Sequence, residues 1–127
     1  MNLVILAGNL GADGELKTTQ AGESMLRLRL ATEENYMDDS GQWQQRPEWH
    51  TVIVWGKRAA SLAGRCTKGR PVAVQGRLRT RSWEDKDGNQ RKTTEVVAKA
   101  IKVYSGYAQA QAAEGGASDD FDGDIPF

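Results

Sequence analysis

Residues 70–104 read RPVAVQGRLRTRSWEDKDGNQRKTTEVVAKAIKVY. Inside EDKDGNQ, Asp87-Gly88 is a hairpin-turn signal, because a tight connection between two strands needs positive φ and glycine adopts it without strain. Two long strand patterns flank it. In the first, Val72, Val74 and Leu78 share one parity and are expected to point inward. Arg77, Arg79, Arg81 and Trp83 share the other parity and point outward, since residues two apart on a strand lie on one face. In the second pattern, around Val96 to Val103, apolar residues occupy both parities and leave the register ambiguous.

Upstream, KRAASLAGRCTKG (57–69) places Ala59, Leu62, Ala63 and Cys66 at helical spacing, and Lys68-Gly69 followed by Pro71 ends the helix. Cys66 is read as a core residue on that helix face rather than a reactive thiol. Earlier still, EWHTVIVW (48–55) is aromatic and β-branched, and MLRLRLAT (25–32) alternates leucines with Arg27 and Arg29, the pattern of a strand with one wet face. NLVILA (2–7) is a third short strand, and MDDSGQWQQR (37–46) reads as an exposed loop. Three strands, a helix and a long hairpin give the order of a five-stranded Greek-key barrel with its helix between strands three and four. The all-β domain is expected to span residues 1–105. GYAQAQAAEGGA (106–117) has too little apolar surface to pack and reads as a flexible linker to a tip at 118–127.

The 127 residues carry 17 Lys+Arg and 17 Asp+Glu, a formal charge of zero that hides an asymmetry. Five acids fall in the last fourteen residues, where there is no base, so residues 1–113 hold 17 basic against 12 acidic side chains, a net of +5. A basic body with an acidic tail fits a polyanion-binding domain with a separate interaction arm; a merely solubilising tail fits the charge equally well. One cysteine excludes an internal disulfide framework. The first ten residues lack a basic leader segment and a membrane-length apolar run, so a cytoplasmic location away from membranes is expected.

Catalytic chemistry finds few candidates. There is one histidine, His50, which reads as packed or interfacial, and no phosphate-cradling loop. Asp85, Asp87 and Asn89 imitate the first spacings of a calcium loop, but Gln90 stands where the sharp-turn glycine belongs and Val96 where the bidentate glutamate belongs. Asp120, Asp122 and Asp124 share those spacings and then run out of chain. No enzyme activity, cofactor or metal is expected.

Bases and aromatics are more informative. From Gly56 to Trp83 there are eight Lys/Arg, Lys57 among them, and no acid. Trp49 and Trp55 share one strand face, and Trp83 stands beside charged residues near an exposed turn. Tryptophans interleaved with arginines suit a single nucleic-acid strand, whose bared bases stack on rings while cations neutralise its backbone. Core packing is the competing reading for each tryptophan, and it is weakest for Trp83.

NLVILAGNLG, RLATEENY, EWHTVIVWGK, KGRPVAVQGRLRTRSWEDKDGNQRKTTEVVA and the terminal DFDGDIPF together resemble the bacterial single-stranded DNA-binding protein family. The resemblance covers residues 2–104 and the last ten. It implies an OB-fold, a homotetramer, and sequence-tolerant wrapping of single-stranded DNA in replication, recombination and repair. Tyr36, Trp49, Trp55 and Trp83 occupy positions to which the family assigns stacking, with Tyr36 where tryptophan is common and Trp55 where phenylalanine is. From the charge pattern, Arg27, Arg29, Lys57, Arg77, Arg79 and Arg81 are expected to neutralise the DNA backbone beside them. Gly14 stands where the family often has proline, which should loosen that turn. Trp43 matches no stacking position. The resemblance also makes the tip a docking peptide for partner proteins: Asp122 and Asp124 meet a basic rim, while Ile125, Pro126 and Phe127 fill an apolar pocket. A specialised replication-restart, plasmid or phage relative, and an RNA- or oligosaccharide-binding module, are the alternatives.

Overall fold

The computed structural model describes residues 1–105. Its strands are β1 (Val4–Leu10), β2 (Glu15–Thr18), β3 (Ser24–Met37), β4 (Trp43–Trp55), β5 (Pro71–Glu84) and β6 (Gln90–Val103), with one helix, α1 (Lys57–Ala63), between β4 and β5. Hydrogen bonding runs β1-β5-β6-β4-β3, and β1 closes the ring on β3 through Asn9 opposite Ala31 and Leu10 opposite Leu30. The result is the expected five-stranded barrel. It is mixed, because β4 and β6 run parallel at Val52/Val96 and Ile53/Val97 while the other pairs are antiparallel.

Alternation builds the core as expected: Leu26, Leu28 and Leu30 are fully buried, and Val52, Val54, Val72 and Val74 meet them. Ala59 and Leu62 of α1 pack onto the same cluster. The glycines at positions 8 and 76 are close-approach sites. A Cβ on Gly8 would strike the Ala31 carbonyl and one on Gly76 the Val97 carbonyl, so only glycine lets these strands meet.

Several expectations need correction. Cys66 is buried but lies beyond the helix, in a turn where its N–H donates to the Leu62 carbonyl. Burial pushes its thiol pKa up, against the opposing pull of Arg65 and Arg70. Leu78 does not enter the barrel and is 48% exposed, because β5 and β6 run on past the barrel as a two-stranded ribbon with nothing packed over that face. The proposed loop at 37–46 is half strand; only 38–42 turn, and Trp43 already pairs with Met37. β2 was not legible, since all four of its residues are exposed and show no burial alternation.

The ambiguous register of β6 has a concrete cause. Gln75 pairs with Ala100 and Gly76 with Ala98, which leaves Lys99 as an extra residue in a bulge. The bulge switches parity, so Val96 and Ala98 on one side of it and Val103 on the other all reach the core. Gly14 also differs from expectation. Its N–H donates to the Cys66 carbonyl at 2.8 Å, and a Cβ there would crowd Leu26 and Leu28, so the glycine brings the chain down onto the core.

Candidate nucleic-acid interface

The outward face of β3, β4, β6 and β5 forms a concave groove of about 450 Å3 with Lys17 of β2 at its edge. Arg27, Trp55, Arg79, Arg81 and Trp83 line it, five of the residues singled out in the sequence. Cross-strand register explains the gathering. Met25 opposes Trp55, Arg27 opposes Ile53, Arg79 opposes Glu95 and Arg81 opposes Thr93, so one parity on each strand supplies the surface.

Glu95 is the residue that sequence reading missed. It is 3% exposed, and its Oε1 accepts from Arg79 Nη2 at 2.6 Å and from Arg81 Nε at 3.2 Å. A carboxylate so enclosed needs cationic partners, and here two guanidinium groups share it at the floor of the groove. Both arginines keep solvent access, at 33% and 52% side-chain exposure, so further N–H donors face outward. The available signal was the register counted back from the Asp87-Gly88 turn, which pairs Arg79 with Glu95 before the bulge is reached.

Trp49 continues the surface along β4. Its ring is 47% exposed, the Arg29 guanidinium lies 5.4 Å from its centroid, and Gly11 sits so close beneath that a Cβ would strike the indole. Tyr36 is placed differently. It lies on the opposite face of the β3–β4 ribbon, with the Arg46 guanidinium 4.7 Å above its ring and Arg46 held in turn by Glu34. Arg77 lines a second hollow with Asn2 and Leu3, and Lys57 is exposed at the start of α1, outside the groove lining.

The run of cations between Gly56 and Trp83 divides in two. Arg58 donates to the carbonyls of Lys99 and Ala98 around the bulge, Arg65 to that of Val103, and Arg70 to that of Tyr104. These three hold the barrel together. His50 Nε2 and Thr32 Oγ1 are 2.9 Å apart and partly buried, which fits the packed reading. Asp85 ties the β5–β6 turn by accepting from the N–H groups of Asp87 and Asn89 and from Arg91, and these bonds, the Arg91 one foremost, hold its pKa below the ordinary value. Among the described residues no cluster of His, Cys, Asp and Glu could hold a metal ion, and no helix is long and apolar enough to cross a membrane. Asp122, Asp124, Ile125, Pro126 and Phe127, with the linker at 106–117, lie outside the described residues.

Comparison with known proteins bears on the family and the fold. Single-stranded DNA-binding protein 1 of Chlorobaculum tepidum is 41% identical over 120 residues, covering 94% of this chain and 72% of that protein. The single-stranded DNA-binding protein of Rhizobium meliloti is 38% identical over 118 residues, covering 91% and 68%. Among solved structures, a deletion variant of the single-stranded DNA binding protein from Thermus aquaticus superposes with a TM-score of 0.74 at 33% identity; the match covers 86% of this chain and 53% of that one, about half its length. A Plasmodium falciparum SSB in complex with ssDNA superposes with a TM-score of 0.73 at 25% identity, covering 82% and 95%. With residues 1–104 matching the Single-strand binding protein family, the chain belongs to that family.

Proposed function

We propose that the protein binds single-stranded DNA without regard to sequence and without catalysis, shielding it in replication, recombination and repair in the cytoplasm. The observation that carries this reading is the groove in which Trp55 and Trp83 flank Arg27, Arg79 and Arg81. Rings give every base the same π-face to stack on, and guanidinium groups neutralise phosphates at any sequence. Neither device reads base identity. A duplex hides the faces that the tryptophans need, so single strands are preferred. Titration of tryptophan fluorescence with poly(dT), poly(rU) and a duplex tests it: strong quenching by poly(dT) alone is expected, and equal quenching by duplex refutes it.

A homotetramer accompanies this function. Leu3, just before β1, and Ile5 on it are 53% and 54% exposed, and the outer edge of β1 bonds to β3 only at Asn9 and Leu10. An apolar strand with a largely open edge is suited to pairing with a second copy. Light scattering at micromolar concentration is expected to return about four times the 13.9 kDa chain mass, and a monomer mass refutes it. The tip at 118–127 serves partner proteins of replication, recombination and repair. Four aspartates followed by Ile-Pro-Phe at the end of a polar tether suit a docking peptide.

A further inference from the structure

We infer that Trp43 is an additional base-stacking platform, carrying the single-strand path out of the groove and along the β3–β4 ribbon. The inference rests on the proposed single-strand binding. Trp43, Trp49 and Trp55 recur every six residues on β4. The pairing of β3 with β4 is unbroken from Met25/Trp55 to Met37/Trp43, with no bulge to switch parity, so all three indoles stand on one face. Each interval spans about 20 Å of strand. The row therefore starts in the groove at Trp55, passes Trp49 beside Arg29, and ends at Trp43 on the ribbon.

Folding gives Trp43 no task. At 70% exposure it is among the most open of the large apolar side chains, and it belongs to no core cluster. The turn next to it is held by other groups. Asp38 accepts from the N–H groups of Ser40 and Gln42, from Ser40 Oγ and from Gln44 Nε2. Asn35 and Gln45 oppose each other beside Trp43 and line a hollow with it, which sets amide donors and acceptors next to the ring. The charged residue of that stretch on the same parity is Glu33, opposite Pro47, while Arg46 lies on the other face over Tyr36. Without a cation at hand, Trp43 acts by stacking and not by neutralising phosphate.

Oligo(dT) of graded length, bound to the intact chain and to its Trp43→Ala and Trp43→Phe variants at several salt concentrations, tests this. For lengths that run past Trp49, Trp43→Ala is expected to weaken binding about 5- to 150-fold, a scale set on single-strand binders of this same kind. Trp43→Phe retains most of the affinity, short oligo(dT) binds all forms alike, and the slope of affinity against salt is unchanged. Irradiation of bromodeoxyuridine-substituted oligo(dT) should attach DNA at Trp43. Equal affinity at every length, or a substitution that lowers the light-scattering mass while DNA cross-links elsewhere, overturns the inference and leaves the groove intact. An unmodified chain that binds no oligo(dT) removes the groove reading itself.

Discussion

Trp83 Nε1 donates to Thr93 Oγ1 across the β5–β6 ribbon at 2.8 Å, fixing the edge of an indole that is 42% exposed. The bond satisfies the ring's N–H and leaves its π-face open, the state a stacking residue needs. Trp83→Ala should weaken poly(dT) binding by about 1–3 kcal/mol, a scale established on proteins of this same kind, with little change in thermal stability. Thr93→Val should cost about 0.5–1.5 kcal/mol of affinity by freeing the ring. Loss of stability without loss of affinity would make Trp83 a packing residue.

Glu95 changes what the arginine stripe contributes. Because Arg79 and Arg81 share its carboxylate, the trio carries a net +1, and Arg79→Ala or Arg81→Ala should flatten the affinity-versus-salt slope by less than about one unit. Glu95→Gln should lower stability by about 1–3 kcal/mol through weaker hydrogen bonds while steepening the slope by up to about one unit. Chemical denaturation and salt titration of the same variant separate the two effects. An unchanged slope would place both guanidinium groups away from DNA.

Gly76 stands at the parity switch, with the Val97 carbonyl where its Cβ would be. Gly76→Ala should destabilise the barrel by about 1–3 kcal/mol, read as a lower denaturation midpoint. Gly22→Ala, in a loop where a Cβ meets nothing within 4 Å, tests the contrasting case: its penalty comes from its φ of 84° alone.

Cys66 should resist Ellman's reagent in the folded protein and react on unfolding, since it is 0% exposed and its thiol is held neutral by burial. The folded pKa is raised, so this group's stabilising effect is complete below the unfolded value, about 8.5, and declines as pH rises from there toward the folded value. Thermal midpoints of the parent should fall faster than those of Cys66→Ala above that pH. Parallel curves would show that the thiol titrates alike in both states.

Asp38 gives the opposite sign. Bonds from Ser40 first, then Gln42 and Gln44, lower its pKa from 3.8 to about 2, so it supports the β3–β4 turn fully above pH 3.8 and releases it as pH falls from there toward about 2. Its carboxyl carbon shift, followed by NMR, should titrate well below those of ordinary aspartates.

Removing residues 118–127 should leave the fold intact, raise DNA affinity slightly at low salt, and abolish capture of cytosolic partner proteins. The tip carries −4 in side-chain charge against a body of +5, so a tethered tip is expected to compete weakly with DNA for the groove, an effect that screening keeps small. Phe127→Ala should abolish capture and leave the charge effect on DNA in place. Recovery of the same proteins by all three forms would reduce the tail to a solubilising appendage.

The barrel was legible because Leu26, Leu28, Leu30, Val52, Val54, Val72 and Val74 obey strict alternation, and the order of elements allowed few closures. Arg79, Arg81 and Trp83 were legible as one face of β5 for the same reason, whereas Arg77 beside them lines another hollow and the meeting of Trp55 with that face depends on strand order. The bulge at Lys99 was not, since an inserted residue looks like noise in a period-two pattern. Nor was the part played by Arg58, Arg65 and Arg70, because a cation that seals a carbonyl and one that faces a ligand are the same letter. Glu95 looked like an ordinary surface acid until its strand partners were known.

β4 meets β6 only at Val52 and Ile53, so residues 43–51 pair with β3 alone. A two-stranded ribbon anchored at one end is a lever: a few degrees of twist at the barrel rim become ångströms of travel at Trp43, while the closed ring below stays rigid. Such an arm does not impose one curvature on what lies against it. On the proposed function, such compliance would let one arm follow strands of different bend, which a binder indifferent to sequence needs as much as it needs rings and charges.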